Sequence, residues 1–266
     1  SATTNTPDSN LNNNNPTIET PSQQAEPITP LPDPIQNIDS NPFQSFIVVR
    51  KGKKFSKISF ELHEDNVAIL KSTSKKEGKK TINLIYKEDT IDGNISSIPS
   101  YIGYLRSRKK KHSYTFYTTA KKSNKDDREG ELLCVCFNNN DNQENSNSTN
   151  NTNKSPITVV IPKYGSPNYP ITQRLTLENF ADTNSIDESK YIKLIGTEIT
   201  SEVESQFGSS FYTKSGKNCA LIEPKSNKYV LIFLKSTYEI FNLKVRPPLT
   251  FSQGFALAIA LIKHDQ

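Results

Sequence analysis

A mainly β fold, closed into a barrel around a hydrophobic helix near the C-terminal end, is what the sequence predicts. Three observations carry that prediction. Short runs of alternating apolar residues separated by polar turns occupy the chain from about Asn41 onward. One segment alone, Thr250–Lys263, is strongly helical in pattern, and it is apolar on nearly all sides. The first forty residues show neither pattern.

From Ser1 to Pro42 the chain is Asn, Thr, Pro, Ser and Gln with almost no aromatic or β-branched cluster. Such a composition cannot bury enough apolar surface to offset the entropy of ordering, so a disordered tail over 1–42 is predicted ahead of a folded domain over 43–266. Within that domain eleven runs read as strands: 46–49, 57–62, 67–70, 82–86, 114–117, 132–137, 157–161, 191–195, 219–222, 229–233 and 239–243. That number suits a barrel or a sandwich. Residues 138–155 are dominated by Asn and lie between two runs, which reads as a disordered hairpin insertion, since loop closure costs grow slowly with length. The apolar segment 250–263 follows Pro247-Pro248 and spans roughly 20 Å as a helix, short of a bilayer. It must therefore be buried in protein, and threading it through a barrel brings it against the inward side chains of every strand. Phe255, Ala256, Ala258, Ile259 and Ile262 are the predicted core of that helix.

Charge narrows the class of partner. The tail holds five acids and no Lys or Arg, leaving 33 basic against 23 acidic residues and a net charge near +10 for the remainder. Asymmetry of this size points to a polyanion, nucleic acid or an anionic lipid surface. Residues 50–80 contain ten Lys or Arg against four acids, and 106–125 contain eight with no acid. Three cysteines and the absence of a signal-peptide pattern at the start suggest a reducing compartment. Cys134 and Cys136 alternate onto one face of a strand; neither a disulfide nor a metal site is expected. His63, His112 and His264 are isolated, and no glycine-rich phosphate loop is present, so neither an enzyme nor a cofactor is predicted.

Several segments are similar to the tubby-like protein family. Tyr101-Ile-Gly-Tyr-Leu-Arg-Ser107, followed by Tyr114-Thr-Phe-Tyr117, resembles that family's Tyr-Ile-Gly-Lys-Leu-Arg-Ser signature and its next strand, with Tyr104 in place of Lys. Glu131-Leu-Leu-Cys-Val-Cys-Phe137 and Ile157-Thr-Val-Val-Ile-Pro162 resemble two later segments in the right order, and Gly254-Phe-Ala-Leu-Ala-Ile-Ala-Leu261 resembles the terminal helix. The resemblance implies a closed barrel of about twelve antiparallel strands around a central helix. It also implies binding of phosphatidylinositol 4,5-bisphosphate or a related phosphoinositide by a membrane-tethered adaptor or signalling protein. By the same resemblance Arg106 is the signature arginine, and Lys71, Lys75, Lys76 and Lys80, after the strand Val67–Leu70, are the remaining headgroup candidates.

Beyond the headgroup, Arg50, Lys51, Lys53, Lys54, Arg108, Lys109, Lys110 and Lys111 are expected to add peripheral attraction to an anionic leaflet. A monomer at the cytoplasmic face of the plasma membrane and in the cytoplasm is the expectation, with the nucleus as a further location. The rival class is a nucleic-acid-binding transcriptional regulator using the same basic face. Its support is the aromatic set Tyr101, Tyr104, Tyr114, Phe116 and Tyr117 around the basic run, although alternation sends many of those rings inward.

Overall fold

The computed structural model describes residues 42–52, 58–77, 80–87, 90–91, 94–95, 100–108, 112–118, 130–138, 157–163, 177–182, 187–207 and 212–264. Apart from Pro42 and Asn138, the predicted tail and the Asn-rich insertion lie outside the described residues. Twelve strands close into an antiparallel barrel: β1 (Gln44–Lys51), β2 (Ser59–Glu64), β3 (Val67–Glu77), β4 (Lys80–Lys87), β7 (Ser100–Arg108), β8 (Ser113–Thr118), β9 (Glu131–Phe137), β10 (Ile157–Pro162), β11 (Tyr191–Thr197), β12 (Cys219–Glu223), β13 (Lys228–Lys235) and β14 (Ile240–Val245). Neighbours in the chain are neighbours in the wall, β4 pairs with β7, and β1 pairs with β14 to complete the ring. The short strands β5 (Thr90–Ile91) and β6 (Asn94–Ile95) form a separate hairpin between β4 and β7. Helices α1 (Leu177–Asp182) and α2 (Ser201–Phe207) lie between strands, and α3 (Phe251–His264) comes last.

Alternation along the strands sorts the side chains as the pleat requires. Phe46 and Val48, Phe60 and Leu62, Leu105, Tyr114 and Phe116, and Phe233 and Phe241 point inward and meet α3 in one cluster. Residues 252–262 of α3 are all buried, including each of the five predicted core positions. Each large side chain among them contributes about 1.5–3 kcal/mol by leaving water. At the start of α3, Thr250 and Gln253 form a capping box: Thr250 Oγ1 accepts from the Gln253 amide at 3.2 Å and Gln253 Oε1 accepts from the Thr250 amide at 2.9 Å. Gln253 Nε2 then donates to the Leu132 carbonyl of β9 at 2.8 Å, tying that cap to the wall. At the other end Lys217 Nζ reaches the Ile262 carbonyl at 2.9 Å, satisfying one of the last carbonyls of the helix.

Three features depart from the sequence reading. The twelfth wall strand, β7, carries the Tyr-Ile-Gly segment and was not among the eleven runs; Gly103 is required there because a Cβ would stand 2.1 Å from the Tyr117 carbonyl oxygen. Strand β3 continues seven residues beyond Leu70, so Lys71, Lys75 and Lys76 sit within a strand rather than in a turn. Two short helices were also missed. α1 buries Leu177 and Ala181 on the outer wall over Cys134, Cys136, Val160 and Tyr191, and α2 buries Val203 and Phe207 over Ala220, Ile232 and Leu234.

Antiparallel closure gives the barrel two distinct ends. Strands β1, β3, β7, β9, β11 and β13 all run toward the same end, and α3, rising through the middle, finishes there with Lys263 and His264. We term this the exit end. The turns after β2 and β12 belong to the opposite, entry end, where Asp65, Asn66 and Asn227 adopt the left-handed backbone that tight turns need.

Candidate functional site

On the outer wall near the exit end, β3, β4 and β7 bring Lys75, Ile82 and Arg106 into one register row: Lys75 stands opposite Ile82, and Ile82 opposite Arg106. The inward partners of that stretch, Asn83 and Leu105, lie on the other face, which fixes the outward direction of the row. Lys75 and Arg106 are thus two inter-strand steps apart, about 10 Å between backbones, close enough for both long side chains to reach one ligand. Lys75 is exposed and Arg106 half-buried. Among the described residues no ion pair or side-chain hydrogen bond engages Arg106, and its Nε is buried without a partner.

Arg108, two residues along the same face, has the opposite environment. Its guanidinium donates to the Tyr117 hydroxyl and to Glu131 Oε1 at 3.0 Å, and it lies 3.7 Å from Glu178 Oε2. Burial pulls its pKa down, but Tyr117, Glu131 and Glu178 outweigh burial and raise it. Glu131 also accepts from the Leu177 amide at 2.7 Å, and Glu178 from the Ser113 hydroxyl, so Arg108 is the centre of the network that holds α1 on the barrel. Arg108 is therefore a structural ion-pair partner, and its side chain remains partly exposed.

Arg50 is enclosed. It continues the inward alternation of Phe46 and Val48, stands opposite core residue Phe60, and is only 7% exposed. Its guanidinium carbon lies 4.8 Å from the centre of the Tyr238 ring.

Lys71 and Lys51 share one carboxylate. Glu61 Oε2 is 2.7 Å from Lys51 Nζ and 2.9 Å from His63 Nε2, while Glu61 Oε1 is 4.0 Å from Lys71 Nζ. Burial raises the Glu61 pKa, yet its bonds to Lys51 and His63 and the charge of Lys71 hold it below the usual carboxylate range. Lys71 lies four residues from Lys75 along β3, about 13 Å away, so it is not brought into the Arg106 row. Lys76 is exposed but alternates onto the other face of β3. Lys80 pairs with Glu77 in the β3–β4 ladder, and its side chain lies outside the described residues, as do Lys53, Lys54, Lys109, Lys110 and Lys111 altogether.

No family model matches the chain, and no curated protein matches it.

The aromatic residues are divided by the wall. Tyr114 and Phe116 are interior, whereas Tyr104 and Tyr117 face outward and stack on each other at 5.0 Å. Tyr101 remains exposed toward the entry end, edge-on to Tyr86 at 6.1 Å. Among the described residues no helix is long and apolar enough to cross a membrane, and no group of three or more potential metal ligands is assembled. The exposed Tyr238 between β13 and β14 had no role in the sequence reading. Its neighbours in the run Leu234–Phe241 do not mark it as lying outside the wall.

Proposed function

We propose that the barrel is a phosphoinositide-binding, membrane-tethering domain of the tubby-like type, with Arg106 and Lys75 gripping adjacent phosphates on the outer wall near the exit end. The observation that carries this reading is the contrast between two arginines of one strand. Arg108 is fully engaged by carboxylates, while Arg106 keeps a buried Nε–H without an acceptor. With no carboxylate engaging it among the described residues, the Arg106 guanidinium is left to donate charge-assisted bonds to a phosphate. The strand directions add to this, because the described lysines Lys75, Lys76, Lys235 and Lys263 all lie toward the exit end. The rival nucleic-acid reading keeps only Tyr101 of its aromatic set, since Tyr114 and Phe116 are interior and Tyr104 and Tyr117 stack on each other.

The test is co-sedimentation with vesicles containing a bisphosphorylated inositide or matched-charge phosphatidylserine. Arg106→Ala should lose roughly tenfold in affinity for the inositide vesicles alone, the range of one to two charge-assisted hydrogen bonds. Removing Lys109, Lys110 and Lys111 together should weaken binding to both vesicle types and flatten its salt dependence. Equal losses on both vesicle types for Arg106→Ala would show that no dedicated headgroup site exists there. Sequence-selective DNA binding without headgroup preference would favour the rival.

A further inference from the structure

We propose that the barrel docks on the bilayer through its exit end, with Tyr238, in the turn between β13 and β14, entering the interfacial layer as an aromatic anchor. This rests on the anionic-membrane reading above and adds to it an orientation and a contact that is not electrostatic. At 60% exposure Tyr238 is the most exposed large apolar side chain among the described residues. Ile240, 39% exposed, stands two residues below it, and Ile47, 36% exposed, lies on the neighbouring strand β1. Ile240 and Ile47 lie on the outer face of the β14–β1 wall that continues from this turn.

The turn is built to hold that ring outward. Thr237 Oγ1 accepts from the amides of Glu239 at 3.3 Å and Ile240 at 3.1 Å, and the amides of Ser236 and Thr237 both donate to the Ile240 carbonyl at 3.0 Å. The Arg50 amide donates to the Glu239 carbonyl at 2.7 Å, joining the turn to β1, and the Arg50 guanidinium lies against the Tyr238 ring. Ordering is thus largely complete before contact with lipid, which removes an entropic cost of insertion. A tyrosine combines an apolar ring with a polar tip and suits the headgroup layer rather than the hydrocarbon interior.

Charge complementarity selects the bilayer as the occupant. The turn shares the exit end with Lys75, Lys76, Lys235 and Lys263. Glu239 is the acid of the turn itself, so its neutralisation should strengthen docking a fewfold.

The chain contains no Trp, so Tyr238→Trp creates a single reporter, and Val67→Trp, at a position 58% exposed at the entry end, provides the matched control. Both variants are mixed with phosphatidylcholine vesicles containing phosphatidylserine, a bisphosphorylated inositide and a shallow brominated lipid. The expected result is vesicle association of both, with emission blue-shifted and quenched for Tyr238→Trp only, and tighter association when Glu239→Gln is added. Association with an unshifted, unquenched reporter at 238, or with equal shifts at 238 and 67, would overturn the orientation while leaving the lipid reading standing. Failure of both variants and the unaltered chain to associate at all would overturn the lipid reading and this inference with it.

Discussion

Arg50 and Arg106 are the residues where charge counting and pleat alternation give different answers. Counting places both in basic clusters; alternation from Phe46 and Val48 already marks Arg50 as inward, and that signal outweighs its charge. Arg106 was legible as a candidate through the Tyr-Ile-Gly segment, but its lack of a carboxylate was not, because Glu131 and Glu178 lie far along the chain and select Arg108 only once α1 is folded against β9. Cys219 is a third case, unremarkable in sequence and fully enclosed beside α3. Burial pushes its thiol up to about 12, above the ordinary cysteine value. In the folded state the thiol stays neutral where the unfolded chain would ionise, so its contribution is whole below about pH 8.5 and is lost as pH rises toward 12. Denaturant midpoints measured from pH 7 to 11 should fall over that window for the native chain and less for Cys219→Ala. Native Cys219 should also resist a thiol reagent that labels it promptly in urea, because the thiolate is the reactive form.

Among the elements, α3 was the most legible, whereas β3 was read only over its first four residues and β7 not at all. Thr250 and Gln253 advertise the helix start, and the unbroken apolar face over 254–262 has no stable home except inside protein, as found. Strand β3 runs on through Lys71–Glu77 with no apolar alternation to mark it, because its inner positions are serines: Ser72, buried with its hydroxyl unpaired, and Ser74, hydrogen-bonded to Asn83. Ser74 and Lys263 both donate to Asn83 Oδ1, at 2.9 and 3.0 Å, so the wall at this point is held by hydrogen bonds rather than by apolar packing. Helices α1 and α2 span barely two turns each, too few for a hydrophobic period to show in sequence. The burial of α3 gives a direct prediction. Ile259→Asp should place an unpaired carboxylate in the barrel axis and cost several kcal/mol, abolishing the cooperative thermal transition, whereas Ile259→Leu should retain it at a cost of less than about 1.5 kcal/mol. Circular dichroism melts of the two variants distinguish these outcomes.

For the molecule as a whole, the strand runs alone left barrel and sandwich open, and what separates them is one contact, the β1–β14 ladder from Gln44–Val245 to Val49–Ile240. Its two strands are separated by nearly the whole domain, and nothing local in either one encodes the other. Closure leaves the wall without an edge. Deleting residues 42–51 should expose unpaired backbone on β2 and β14, and such edges recruit other chains. Size-exclusion chromatography should show that variant as aggregates, while the intact barrel elutes as a discrete species.

The central helix is also the last element of the fold to be synthesised. Roughly 200 residues separate the end of β1 from the end of α3, which at about 5–20 residues per second is on the order of 10–40 s of translation. Over that interval the strands are made one after another while the helix they must enclose does not yet exist. The inward faces of Phe46, Phe60, Leu105 and Phe116 have nothing to meet until Phe255 and Ile259 arrive. Nascent chains of this barrel therefore carry their hydrophobic lining uncovered until that helix is made, and surface exposed in this way is what chaperones exist to cover.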